Sequence, residues 1–201
     1  MIKNHDKFYF ERGVYVKMKA KRLFCLLFTM VLVFGLCSCG DKKDSSSADS
    51  KKSAGEKFDG GNISVLVPDG WMAFHGTDIF EEYKEGYDPN VINIGKDAKN
   101  EYDLFSKPYI QIKLFPSETT MTKPFKELYT ETKDLDATKY GKYTFNGFTA
   151  KSGDYPIAML WTEGDQDQLT ITIWREIEGQ KIDIDEEDVK SILSSIEVTK
   201  K

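Results

Sequence analysis

Read as apolar and polar positions, the chain falls into three zones. Leu23 to Cys37 is a 15-residue run whose only non-apolar members are Thr29 and Gly35. Gly40 to Lys57 reads GDKKDSSSADSKKSAGEK, with Ala48 and Ala54 as its only hydrophobic residues. Beyond it, short alternating runs are separated by turn-forming residues. Asn62 to Val67 puts Ile63, Val65 and Val67 on one face and predicts a strand. Pro68-Asp69-Gly70 has turn chemistry, because proline fixes φ and glycine accepts φ > 0. Trp71 to His75 resumes as a strand, and Val91 to Ile94 fits a short one. Tyr109 to Phe115 alternates with Ile110, Ile112 and Leu114 inward. Pro156 to Glu163 is apolar on both faces, as in a central strand covered on both sides. Leu169 to Ile177 sets Leu169, Ile171 and Ile173 against Thr170, Thr172 and Trp174.

Helical spacing appears three times. A short helix fits residues 78–85, around Ile79, Phe80 and Tyr83. Lys123 to Leu135 places Phe125, Leu128, Tyr129 and Thr132 at i, i+3, i+4 and i+7, with Pro124 tolerated in the first turn. After Asp185, a capping residue followed by three acids, Val189, Ile192, Leu193 and Ile196 form one apolar stripe. Asn146-Gly147 between residues 142–145 and 148–151 predicts a two-residue hairpin turn. Neighbouring strands followed by packed helices indicate an α+β fold with a mainly antiparallel β-sheet flanked by helices. The stretch Ile63-Ser64-Val65-Leu66-Val67-Pro68-Asp69-Gly70-Trp71 and the closing Ile192-Leu193-Ser194-Ser195-Ile196 resemble the PsbP-like α/β/α sandwich. That group includes the extrinsic photosystem protein and uncharacterised bacterial lipoproteins. The resemblance implies a fold for residues 58–201, carried by residues 58–199, and no particular activity.

The N-terminal zone has the order of an export signal. Lys17, Lys19, Lys21 and Arg22 form a basic flank, the apolar run follows, and small Ser38 precedes Cys39. A span of the bilayer needs about 20 apolar residues, so this shorter run suits a cleaved signal. Leu36-Cys37-Ser38-Cys39 resembles the lipobox of bacterial lipoproteins. The resemblance implies cleavage between Ser38 and Cys39, a diacylglyceryl group on the Cys39 thiol and a chain held on the outer face of the cell membrane. Residues 1–17 are expected to be a non-native extension ahead of a start at Met18, and residues 18–38 the signal peptide. Residues 39–57 are expected to be the lipidated cysteine with a disordered tether, too polar to offset the entropy of ordering.

Charge narrows the partners. The chain carries 28 basic and 33 acidic residues, and residues 1–38 hold seven of the former and two of the latter. That leaves 21 against 31 from Cys39 onward, a formal charge of −10. So acidic a surface disfavours nucleic acid and anionic headgroups as ligands. The three cysteines are Cys25, Cys37 and Cys39, so the segment beyond the lipobox has no thiol for a disulfide, a nucleophile or a metal.

Motifs for catalysis are sparse. Of two histidines only His75 lies beyond the signal, and no nucleophile elbow or phosphate loop is present. Acids cluster at Glu81-Glu82, at Asp165 and Asp167, and from Asp183 to Asp188. The last lacks the loop glycine and twelfth-position glutamate of an EF-hand and is better explained by helix capping. A catalytic carboxylate pair is the alternative function; no cofactor, metal or catalytic residue is assigned. Aromatic residues crowd the irregular middle: Trp71, Phe74, Phe80, Tyr83, Tyr87, Tyr102, Phe105 and Tyr109. Such rings either pin a long connection to the sheet, the cheaper account, or form a binding surface for a protein or small ligand. The functional expectation is therefore a membrane-tethered domain that binds without catalysis.

Overall fold

The computed structural model describes residues 55–77, 82–115 and 123–199. The signal, Ser38, Cys39, most of the tether and Phe80 lie outside them. Twelve strands and one α-helix follow in order: β1 (Gly55–Asp59), β2 (Ile63–Pro68), β3 (Trp71–Thr77), β4 (Tyr87–Lys96), β5 (Tyr109–Leu114), β6 (Thr130–Tyr140), β7 (Tyr143–Ser152), β8 (Tyr155–Thr162), β9 (Leu169–Trp174), β10 (Glu176–Ile177), β11 (Gln180–Lys181), α1 (Glu187–Ser194) and β12 (Glu197–Val198). A seven-stranded sheet has the order β3-β4-β5-β9-β8-β7-β6, a three-stranded sheet the order β1-β2-β12, and β10 pairs with β11. Every pairing is antiparallel.

Alternation dictates what each face carries. Residues opposite one another across antiparallel strands share a face. One row therefore runs Ala73, Ile94, Ile110, Ile173 and Ala158, and the next runs Ile92, Ile112, Ile171 and Leu160. This inner face is the main core, closed by Ile63 and Val65 of β2 and by Val189, Ile192 and Leu193 of α1. Truncating one of these fully buried isoleucines to alanine costs about 2–5 kcal/mol.

The outer face is mixed. At the β7–β8 end, Phe148, Ala150, Ile157, Met159 and Trp161 form a second buried cluster. At the β3–β4–β5 end the row reads Phe74, Asn93 and Gln111, continuing to Thr172 on β9. β8 is thus buried on both faces, as its unbroken apolar run predicts.

Several expectations are corrected. Lys123 to Leu135 is not a helix. Lys126–Leu128 makes a single 3₁₀ turn and β6 begins at Thr130. Phe125 and Leu128, expected inward, are 53% and 76% exposed. Pairing with β7, a contact distant from the local pattern, overrides the helical spacing. Asn146-Gly147 is not a turn but lies inside β7, where Gly147 opposes Leu160. A β-carbon at Gly147 would stand 2.5 Å from a Leu160 methyl and 2.9 Å from the Met159 carbonyl oxygen, so this glycine serves close strand approach. The turns fall at Gly141 and Gly153, both with positive φ. Gly55 to Lys57, read as tether, pair in β1 with Pro68, Val67 and Leu66. Of the helix read over 78–85, only 82–85 are described, and there a turn over residues 83–86 is closed by the Gly86 N–H donating to the Tyr83 carbonyl at 3.1 Å. The N-cap of α1 is Glu186 rather than Asp185, and its carboxylate accepts the Asp183 N–H at 2.9 Å. The described residues thus form a mainly antiparallel β-sheet fold with one α-helix, α1, packed on the inner face of the sheet.

Candidate functional site

On the outer face, at the β3–β4–β5 end, the sheet floors a groove of about 350 Å³. Its lining comprises Phe74, His75, Thr77, Asn93, Glu101, Tyr102, Leu104, Phe105, Tyr109 and Gln111. The volume falls within the range of small-ligand sites. The floor follows from period 2: Phe74, Asn93 and Gln111 stand opposite one another on successive strands. Gln111 Nε2 donates to Asn93 Oδ1 at 3.0 Å. Among the described residues, Asn93 Nδ2 and Gln111 Oε1 have no hydrogen-bond partner.

The wall is the β4–β5 connection, which carries a 3₁₀ turn, Glu101–Phe105. Two features seat it. Leu104 packs over Gly95 on the sheet face, and a β-carbon at Gly95 would lie 2.9 Å from Leu104 Cδ2 and 2.8 Å from Ala98 Cβ. Polar bonds then fix the turn. Asn100 Oδ1 accepts the Tyr102 N–H at 3.0 Å, and Asp103 Oδ2 accepts the Lys99 N–H at 2.7 Å. Lys107 Nζ lies 3.6 Å from Asp103 Oδ2 and donates to the Asp97 carbonyl. The Lys99 N–H, supported by Lys107, holds the Asp103 carboxyl below its ordinary value.

This scaffold leaves its aromatic side chains outside. Tyr102 is 72% exposed and Phe105 is 84% exposed. Tyr109 behaves differently: its ring stacks on Trp174 at 5.9 Å, and burial raises its hydroxyl above the usual tyrosine value. Tyr155, half exposed, meets Trp174 edge-on, with ring centroids 6.1 Å apart.

The predicted aromatic set therefore divides. Phe74, Tyr102, Phe105 and Tyr109 line the groove together. Trp71 faces the opposite side, buried, with Nε1 donating to Asp188 Oδ2 at 3.1 Å. The Tyr83 hydroxyl accepts from Asn90 Nδ2 at 3.1 Å, and Tyr87 packs on His75 with ring centroids 4.2 Å apart. These three are staples. Sequence reasoning missed Asn93 and Gln111, whose outward positions were legible from alternation but whose pairing depends on strand register. It also missed Trp174 as the partner of Tyr109.

Members of two of the three acidic clusters have partners of their own, and Glu81 of the third lies outside the described residues. Glu186 pairs with Lys96 at 2.7 Å, and Asp183 lies 3.9 Å from Arg175. Asp167 accepts the Tyr143 hydroxyl at 2.6 Å; burial and then this carboxylate push that tyrosine far above its usual range. Among the described residues no group of three or more His, Cys, Asp or Glu side chains is arranged to hold a metal ion. A second hollow, about 400 Å³, lies where β1 meets the β2–β3 turn. Its rings, Phe58 and Trp71, pack into the core.

No family model matches the chain. No curated protein matches it either. Among solved structures it is similar to cyanobacterial PsbP (CyanoP) from Synechocystis sp. PCC 6803, determined in solution, with 14% identity, a TM-score of 0.36, and coverage of 78% of this chain and 98% of that one.

Proposed function

We propose that the chain is a bacterial lipoprotein, anchored through Cys39 on the outer face of the cell membrane, whose PsbP-like domain binds a protein partner or small ligand in the outer-face groove without catalysis. The observation that carries this reading is the exposure of Tyr102 and Phe105 on a turn held by its own polar bonds. A ring that stapled the connection would be buried. Exposed aromatic area of this kind is what binding surfaces use, since it supplies large contact at low entropic cost. The engagement of Asp183 and Glu186 in a cap and in ion pairs supports binding over carboxylate catalysis in that cluster. The basic flank, the 15-residue apolar run and the lipobox support the anchor. One acyl chain holds a protein only marginally and two or more hold it stably.

The test is capture in intact cells. A photoreactive residue at position 105 should give a discrete adduct that a probe at Glu178, exposed on the β10–β11 turn, does not give. Equal labelling at both positions, or none at position 105, would contradict the groove.

A further inference from the structure

We infer, resting on the groove being a binding surface, that its ligand is an uncharged oligosaccharide, held against the rings of Phe74, Tyr102, Phe105 and Tyr109 and oriented by the Asn93–Gln111 amide pair. The argument begins with charge. Among the described lining residues Glu101 is the only acid, no lysine or arginine is present, and His75 is the one imidazole. An anion would find no lysine or arginine among the described lining residues, only the His75 imidazole packed between the rings of Phe58 and Tyr87, and would meet the acidic charge of the chain beyond Cys39; a cation would find one carboxylate on an exposed turn. Burying an unpaired charge is costly, so the groove selects a neutral ligand.

The polar groups then select hydroxyls. The Gln111-to-Asn93 bond leaves one amide N–H donor and one amide C=O acceptor, both without partners among the described residues. A ligand hydroxyl donates and accepts at once, so one or two adjacent hydroxyls satisfy both atoms. Sugar rings pair such hydroxyl edges with C–H faces. The negative face of an aromatic ring attracts those weakly positive hydrogens. The amides on the floor, with the rings of Phe74 and Tyr109 beside them and those of Tyr102 and Phe105 on the wall, match that double character. A purely apolar ligand would strand the amides.

Length follows from the aromatic track. Tyr109 stacks on Trp174, and Trp174 meets half-exposed Tyr155, so rings continue across β5, β9 and β8 beyond the groove. A chain of several sugar units spans this track, whereas a monosaccharide fills only the groove. A proline-rich peptide is the competing occupant, because aromatic-lined grooves also take such segments.

The experiment uses the full chain in a detergent without a sugar headgroup. It is titrated with tetra- to hexasaccharides of glucose and of N-acetylglucosamine, and separately with a proline-rich peptide, by calorimetry and by tryptophan fluorescence. Saturable binding of an oligosaccharide, weakened about tenfold or more by Gln111→Leu and by Tyr102→Ala with Phe105→Ala but unchanged by Lys139→Ala on the far edge strand, supports the inference. Oligosaccharide binding that none of these variants weakens overturns it, as does the absence of any oligosaccharide binding. Peptide binding alone, or an in-cell adduct at position 105 without saccharide binding, removes the saccharide and keeps the groove. Loss of both removes both.

Discussion

Leu104 occupies the space in which a β-carbon on Gly95 would stand, and this contact sets the distance between the 3₁₀ turn and the sheet. Gly95→Val would push Leu104 and Ala98 outward and with them Tyr102 and Phe105. The expected result is faster amide exchange across residues 99–107 and weaker capture at position 105, with exchange in β8 and β9 unchanged. Asp103 works on the same segment through charge. Its carboxyl is held low when folded, so its contribution is present above the ordinary aspartate value and fades as pH falls through the lower folded one. Amide exchange of residues 99–107 should therefore rise relative to the core below about pH 4. Asp103→Asn should show fast exchange in that segment at neutral pH and no further acid step. An acid step that persists in Asp103→Asn would assign it to another carboxylate.

At the scale of elements, the legible parts are those whose burial one strand or helix decides alone. β2, β5, β8 and β9 announce themselves because isoleucine, leucine and valine alternate or run unbroken where one face or both are covered. Val189, Ile192 and Leu193 announce α1 in the same way. β6 was not legible. Its residues are mostly exposed, so no apolar stripe disciplines the pattern, and the spacing of Phe125, Leu128 and Tyr129 imitates a helix. Asn146-Gly147 misleads for a related reason: glycine there answers to Leu160 across the sheet, not to a turn. Of the site, the aromatic crowding was visible, and alternation separates Trp71 from Phe74. Which rings would be staples was not visible, because that depends on polar bonds at Asn100 and Asp103 and on Leu104 meeting Gly95. The strand assignment makes a prediction. Phe125→Ser and Leu128→Ser should each change stability by no more than about 0.5 kcal/mol in chemical denaturation, as exposed positions do. A loss of about 2–5 kcal/mol would be the signature of a buried helical stripe.

For the molecule as a whole, the proposal joins an acidic domain to a lipid. With a formal charge of −10 from Cys39 onward, the proposed mature chain should have little affinity of its own for anionic headgroups, and the proposed anchor should be its main hold. Cys39→Ala should accordingly accumulate as an unprocessed form or leave the membrane fraction. Unchanged processing and retention, followed by fractionation and the mass of the mature N-terminus, would contradict the lipid assignment. The central claim concerns the two rings at the other end of the account, Tyr102 and Phe105, which are placed outside for a ligand and contribute nothing to the fold. Its most direct test is the equilibrium unfolding free energy of Tyr102→Ala combined with Phe105→Ala, measured against the unsubstituted chain. The predicted difference is within about 0.5 kcal/mol for each exposed position. A loss approaching the roughly 3–5 kcal/mol of a buried aromatic ring would show that these rings hold the connection to the sheet, and the groove would lose its argument.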